Sequence, residues 1–174
     1  DLNKYAEILR NQIIDIEKEI FKLAGLEFNI SSPKQLGEVL FEKLNISGNV
    51  QKTKTKQYST SEEVLVKFKD KHEIVSKVLD YRALKKLLST YVDALPKLIN
   101  SKTGKIHTSF EQAFVTTGRL SSKNPNMQNI PVRDERGREI RKSFVASGKD
   151  FILLSADYSQ IELRLMAHLS RDEN

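Results

Sequence analysis

A single carboxylate, Asp157, stands just past the apolar run Phe151, Ile152, Leu153, Leu154 in the segment FILLSADYSQIELR, with Tyr158, Ser159, Gln160, Ile161 and Glu162 directly after it. Four consecutive large apolar residues suit a short strand buried on both faces, and a side chain just beyond such a strand is displayed where strand ends border a crevice. A carboxylate is costly to bury unless paired or bound to a cation. With no cysteine in the chain, a hard cation such as magnesium is the natural partner for Asp157. The same residues also admit a purely structural account. Asp157 can start a turn, Ser159 and Glu162 can form a capping box, and Ile161, Leu165 and Leu169 then line the buried face of the following helix. Glu162 is then a helix-end acceptor, Arg164 a salt-bridge partner or phosphate contact, and His168 a structural residue.

A second cluster of polar chemistry lies in TTGRLSSKNPNMQNIPVR, residues 116–133. Its amides, glycine and prolines exclude a buried strand and suit a surface loop, in which Arg119, Asn126, Gln128 and Asn129 can reach sugars, phosphates or base edges. The same composition also makes ordinary turns, because Asn and Ser bond local backbone and Gly permits positive φ.

Charge is distributed unevenly around these clusters. Residues 1–101 carry 17 Lys and Arg against 14 Asp and Glu, residues 102–149 carry 10 against 4, and residues 150–174 carry 2 against 5. The basic middle suits a polyanion such as nucleic acid, whose condensed counterions Lys and Arg displace. The absence of cysteine excludes disulfides and thiolate zinc sites. The charged N-terminus has neither a signal-peptide core nor a membrane span, so a cytoplasmic setting and no membrane partner are expected.

The elements that must position these residues begin with helices. Leu2, Ala6, Leu9, Ile13, Ile16, Ile20 and Leu23 recur at spacings of four and three, one stripe of a long amphipathic helix that Gly25 stops. Ser32, Pro33 and Gln35 predict a capping box opening a helix through Leu36, Val39, Leu40 and Leu44. Residues 48–61, with Lys52, Lys54 and Lys56 among Thr and Gln, have no periodicity that would bury anything and are expected to be a flexible loop. Thr60 and Glu63 offer a second capping box. A long helix follows over residues 73–95, with Ile74, Val78, Tyr81, Leu84, Leu88, Tyr91 and Leu95 on one face, until Pro96 kinks or ends it. Lys102, Thr103 and Gly104 predict a turn before a short strand over 106–110. A boundary is therefore expected near residue 101, with a helical unit before it and strands, turns and one final helix after it, an α+β chain. No function attaches to Tyr5, Tyr58, Tyr91 or the methionines.

DYSQIELRLMAHLS at 157–170 resembles motif A of the bacterial family A DNA polymerases, the DNA polymerase I group. TGRLSSKNPNMQNIPVR at 117–133 is similar to that family's palm segment after the thumb, and SPKQLGEVLFEKL at 32–44 to its thumb. Three motifs in the family's order imply a helical thumb over 1–101 and the first part of a palm over 102–174, with short strands and the motif A helix.

The resemblance implies roles residue by residue. Asp157 matches the aspartate that bridges two magnesium ions, and Tyr158 the residue whose backbone carbonyl completes that side of the site. Tyr158, Ser159, Gln160, Ile161 and Glu162 match the nucleotide-binding stretch. Glu162 matches the gate that occupies the space of a ribose 2′-hydroxyl, which distinguishes this chain from phage-type RNA polymerases with a small residue there. Arg119 matches the arginine that reaches minor-groove acceptors at the primer terminus, positions common to every correct pair. Asn126, Gln128, Asn129 and Arg133 match further duplex contacts, and Lys105 a residue facing the primer backbone. The Lys52, Lys54 and Lys56 loop falls where the thumb tip approaches the duplex. The partners implied are primer–template DNA and a deoxynucleoside triphosphate, in a bacterial cytoplasm at the nucleoid.

The family's fingers residues and its second metal aspartate have no counterpart here; Asp172 and Glu173, the acidic residues after Glu162, do not match that motif. The chain is therefore expected to be a fragment of a DNA-directed DNA polymerase, inactive alone, that needs the fingers and remaining palm. The alternative is a stand-alone DNA-binding module in which Asp157 is catalytically idle. An incomplete palm is also expected to expose apolar surface and favour self-association.

Overall fold

A computed structural model describes residues 2–46, 50, 52–53, 56–131 and 135–171. Helix α1 spans Leu2–Ala24 and buries Ala6, Leu9, Ile13, Ile20 and Ala24, the stripe set by its spacing. Gly25, at φ +68°, ends it in a conformation that costs a Cβ-bearing residue strain. Helix α2 spans Pro33–Gly37 and passes directly into a π-helical turn, Glu38–Lys43. Helix α3 spans Glu62–Val66, and α4 spans Glu73–Leu87. Beyond α4 come a π-helical turn, Leu88–Val92, and a 3₁₀ turn, Leu95–Leu98, with Pro96 in its opening positions. The long helix expected over 73–95 is thus continuous only to Leu87, although all seven of its stripe residues are buried.

Helices α1 and α4 form an antiparallel pair. Arg10 bonds Asp93 at 2.7 Å and Lys77 bonds Glu19 at 2.5 Å, so the start of one helix lies beside the end of the other. Glu19 holds the Lys77 ammonium above its ordinary range, chiefly through that hydrogen bond. Between the helices, Leu9, Ile20, Ile74, Val78 and Leu84 are almost entirely buried, each contributing about 1.5–3 kcal/mol by removal from water.

Strands β1, Ser109–Glu111, and β2, Ser121–Lys123, pair antiparallel with Phe110 opposite Ser122. The first strand begins three residues later than the run expected from Ile106. The segment expected to be only a loop supplies β2 and then a 3₁₀ turn, Met127–Asn129. Helix α5, Glu135–Arg141, buries Gly137 and Ile140.

Two compact units divide at Ser143 and Phe144. The boundary expected near residue 101 falls inside the first, where the Tyr5 hydroxyl donates to the Arg136 carbonyl at 3.1 Å and the Tyr91 hydroxyl to the Asn129 carbonyl. The second unit holds α6, Ile161–Ser170. Its apolar run Phe151–Leu154 is not a strand and is 64–87% exposed; the described residues of that unit contain no strand to pair with it. Ile161, Leu165 and Leu169 are likewise exposed rather than a buried face. Among the described residues, no helix is long and apolar enough to cross a membrane.

Candidate functional site

Residues 151–158 have no regular secondary structure and are exposed, and the chain then turns at Ser159 and Gln160 into α6. Gln160 caps the helix at φ 51°, ψ 40°, the left-handed region, which lets the chain reverse sharply between Asp157 and Glu162. The capping box of the purely structural account is not formed: Gln160, not Ser159, is the cap, and its side chain makes no capping hydrogen bond. The Ser159 carbonyl instead accepts from Arg164 Nε at 3.0 Å, tying the turn to the helix. Tyr158, Gln160, Ile161, Glu162 and Leu163 line a shallow cavity of about 360 Å³. Four of the five residues matched to nucleotide binding therefore share one concavity; Ser159 contributes its carbonyl to the turn behind them.

Asp157 and the Tyr158 carbonyl are hard oxygen donors, the class magnesium takes. Among the described residues no group of three or more His, Asp or Glu could hold a metal ion, and Asp172 and Glu173 lie outside the described residues. Asp157 and the Tyr158 carbonyl would by themselves be only a partial donor set. Such a set fits magnesium, which keeps several waters and binds through one or two carboxylates together with substrate phosphates.

In the first unit, the loop bearing Arg119 is built from its own polar side chains. Gln128 Oε1 accepts from the Ser122 N–H at 3.0 Å, and Gln128 Nε2 donates to the Leu120 carbonyl at 3.1 Å. Asn126 Oδ1 accepts from the Gln128 N–H at 3.0 Å and caps the 3₁₀ turn. Ser122, 3% exposed, accepts from the Met127 N–H at 2.9 Å and lies 2.7 Å from the Thr108 hydroxyl. These bonds shape the segment on which Arg119, Asn126, Gln128 and Asn129 are all exposed, and the Asn129 carbonyl accepts from the Tyr91 hydroxyl. Burial pushes the Tyr91 phenol above its ordinary value. Periodicity marks Tyr91 only as a buried stripe residue, and nothing in the sequence marks the hydroxyls of Ser122 and Thr108 as supports, because hydroxyl side chains are equally common on open surface.

Lys105 is exposed on the turn after the 3₁₀ helix, where the Asn100 N–H donates to its carbonyl at 2.9 Å and Gly104 adopts φ +66°. Lys54 and Arg133 lie outside the described residues. Lys52 and Lys56 are described residues of the stretch expected to be a flexible loop. Lys52 pairs antiparallel with Tyr58, and the Thr53 N–H donates to the Gln57 carbonyl at 2.7 Å. Lys52 Nζ stands 4.6 Å from the centre of the Tyr58 ring, and that ring packs 5.3 Å from Phe41. The second expected capping box is replaced as well. Ser61, not Thr60, precedes α3, and buried Thr60 is held by Arg82 from α4. The first box forms by half: Ser32 Oγ accepts from the Gln35 N–H at 3.5 Å, while Gln35 Oε1 accepts from the Asn29 N–H.

The family model described as DNA polymerase family A matches residues 1–174. The chain is 55% identical over 166 residues to DNA polymerase I of Geobacillus stearothermophilus, covering 95% of this chain and 19% of that protein. It is 53% identical to DNA polymerase I of Bacillus subtilis (strain 168), covering 99% of this chain and 19% of the relative. The chain thus spans about a fifth of the length of these relatives. A solved structure, the POL domain of Pol1 from M. smegmatis in complex with DNA primer-template and dNTP, is similar with a TM-score of 0.82 and 41% identity, over 99% of this chain and 30% of that one.

Proposed function

The chain belongs to DNA polymerase family A, and we propose from that premise that it works as the thumb and first palm portion of a longer DNA-directed DNA polymerase. Residues 1–101 would grip primer–template duplex, and residues 102–174 would supply part of the nucleotidyl-transfer site. The observation that carries this reading is the family match along the whole chain joined to the turn at 157–162, which presents Asp157, Gln160 and Glu162 at one exposed helix start. The remaining palm, the fingers and the second aspartate would come from the rest of the longer protein, in the bacterial cytoplasm at the nucleoid.

Within that protein, Asp157 and the Tyr158 carbonyl would hold magnesium, which when bound activates a primer 3′-hydroxyl and stabilises the leaving pyrophosphate. Gln160 would lie beside the phosphates of the incoming deoxynucleotide, in the stretch from Tyr158 through Ile161, and Glu162 would occupy the place of a 2′-hydroxyl. Arg119 would donate to minor-groove acceptors of the terminal pair, with Asn126, Gln128, Asn129 and Arg133 alongside. Since Asn126 Oδ1 and both ends of Gln128 already bond the loop, their duplex contacts would use remaining lone pairs and the Asn126 amide N–H groups. Lys52, Lys54, Lys56 and Lys105 would meet phosphates without reading sequence.

The test is Asp157→Ala in the full-length protein. Primer extension with magnesium and all four deoxynucleotides falls to background, while duplex affinity measured by fluorescence anisotropy stays within about twofold, since a carboxylate contributes nothing to phosphate binding. Extension at the wild-type rate would remove Asp157 from the chemistry.

A further inference from the structure

Arg82 stands on α4, a helix whose sequence offers no motif at that position, and its guanidinium is spent on one residue. Nη1 donates to the Thr60 carbonyl and Nη2 donates to Thr60 Oγ1 at 3.3 Å. Thr60 is 5% exposed, so this is a built joint rather than a surface encounter. Burial lowers the Arg82 pKa, opposed by the nearby Glu62 carboxylate, and an arginine remains charged regardless. Two residues earlier, Tyr58 packs on Phe41, which in turn meets Phe68 at 5.6 Å between ring centres. Gly37 permits this seat, because a Cβ there would meet Tyr58 Cβ at 3.0 Å. Residues 58–60 are thus pinned between the π-helical turn after α2 and α4. Tyr58 of this pinned stem pairs antiparallel with Lys52, and Lys56 precedes Tyr58 by two residues.

We propose that Arg82 is a positioning residue for duplex binding: through Thr60 it roots the turn that presents Lys52 and Lys56 to DNA phosphates. The proposal rests on the phosphate role assigned above to those lysines. A lysine on an unrooted loop must lose chain entropy on reaching a phosphate, whereas one on a fixed stem has already lost it in folding. A bidentate guanidinium suits the joint because its planar fork spans a carbonyl and a hydroxyl of one residue at once.

The experiment is a double-mutant cycle in the full-length protein, reading duplex affinity by anisotropy across a salt series. Lys52→Ala/Lys56→Ala lowers affinity and reduces the slope of log affinity against log salt by up to about two, at roughly 0.9 per phosphate contact. Arg82→Met lowers affinity by about threefold to tenfold with a slope reduced in the same direction, and Thr60→Val, which keeps the side-chain shape, gives a smaller loss of the same kind. Arg82→Lys, with one donor fewer, recovers part of it. In the Lys52→Ala/Lys56→Ala background, Arg82→Met then adds less than twofold. An additive Arg82 effect, or none in the parent, overturns the positioning role. If the lysine pair itself changes nothing, the failure lies with the phosphate reading instead, and a melting curve for each variant separates either result from unfolding.

Discussion

Glu162 occupies the first turn of α6 and lines one cavity with Tyr158 and Gln160, the position from which the proposed sugar filter would act. A carboxylate filling the space beside C2′ of a bound sugar discriminates by exclusion, and shape discrimination at one small group is worth about 10- to 200-fold. Replacing it, Glu162→Ala in the full-length protein, is expected to raise ribonucleotide incorporation relative to deoxynucleotide by about that factor, measured as the ratio of kcat/KM values in primer extension. Discrimination at the wild-type level would end the sugar-filter role. At this scale residue identity was legible, and side-chain partnership was not. The spacing of Ser159 and Glu162 suits a capping box, yet the left-handed Gln160 redirects the chain before those groups can meet. Gln128 likewise carries donors that suit DNA, but whether they turn outward or back to Ser122 and Leu120 depends on where the neighbouring strand lies.

Helix α5 is joined to the loop before it by the closest backbone approach among the described glycines. A Cβ on Gly137 would lie 2.5 Å from Pro131 Cβ and 2.6 Å from the Pro131 carbonyl oxygen. Backbone cannot swing aside as a long side chain can, so Gly137→Ala overpacks the joint, at about 1–3 kcal/mol. The helix-propensity gain of about 1 kcal/mol offsets only part of this. The variant should therefore unfold at lower urea concentration than the wild type, with an unchanged denaturant slope; a midpoint equal to or above wild type would show that α5 moves freely off Pro131. The long helices were legible as elements because a buried stripe needs only its own period. Their ends were less so: α4 yields to a π-helical turn at Leu88 while its buried stripe continues, and packing against α1, not local propensity, permits that change.

Across the whole molecule, residues 1–143 and 144–174 are separate compact units, and the stretch 151–158 has no regular secondary structure and is exposed throughout. Exposed chain without regular structure adapts to a protease site at little cost. Brief trypsin or chymotrypsin treatment of the 174-residue polypeptide should therefore cut first within 144–160 and leave a resistant product close to residues 1–143, identified by mass. Equally fast cutting inside α1 or α4 would count against that division. The sequence by itself determined the helical first hundred residues, the α+β class and, through three motifs, the polymerase family, because periodicity and motif identity are written in local residue order. Tertiary structure alone decided that Tyr91 and Tyr5 tie residues 102–143 to those helices, that Arg82 holds Thr60, and that Phe151–Leu154 forms no strand. Each of these depends on a partner distant in the chain or, for the apolar run, on a neighbouring strand that the described residues of its unit do not provide. A strand exists only with its hydrogen-bonded neighbour, so apolar order alone, even beside a carboxylate as telling as Asp157, did not make one.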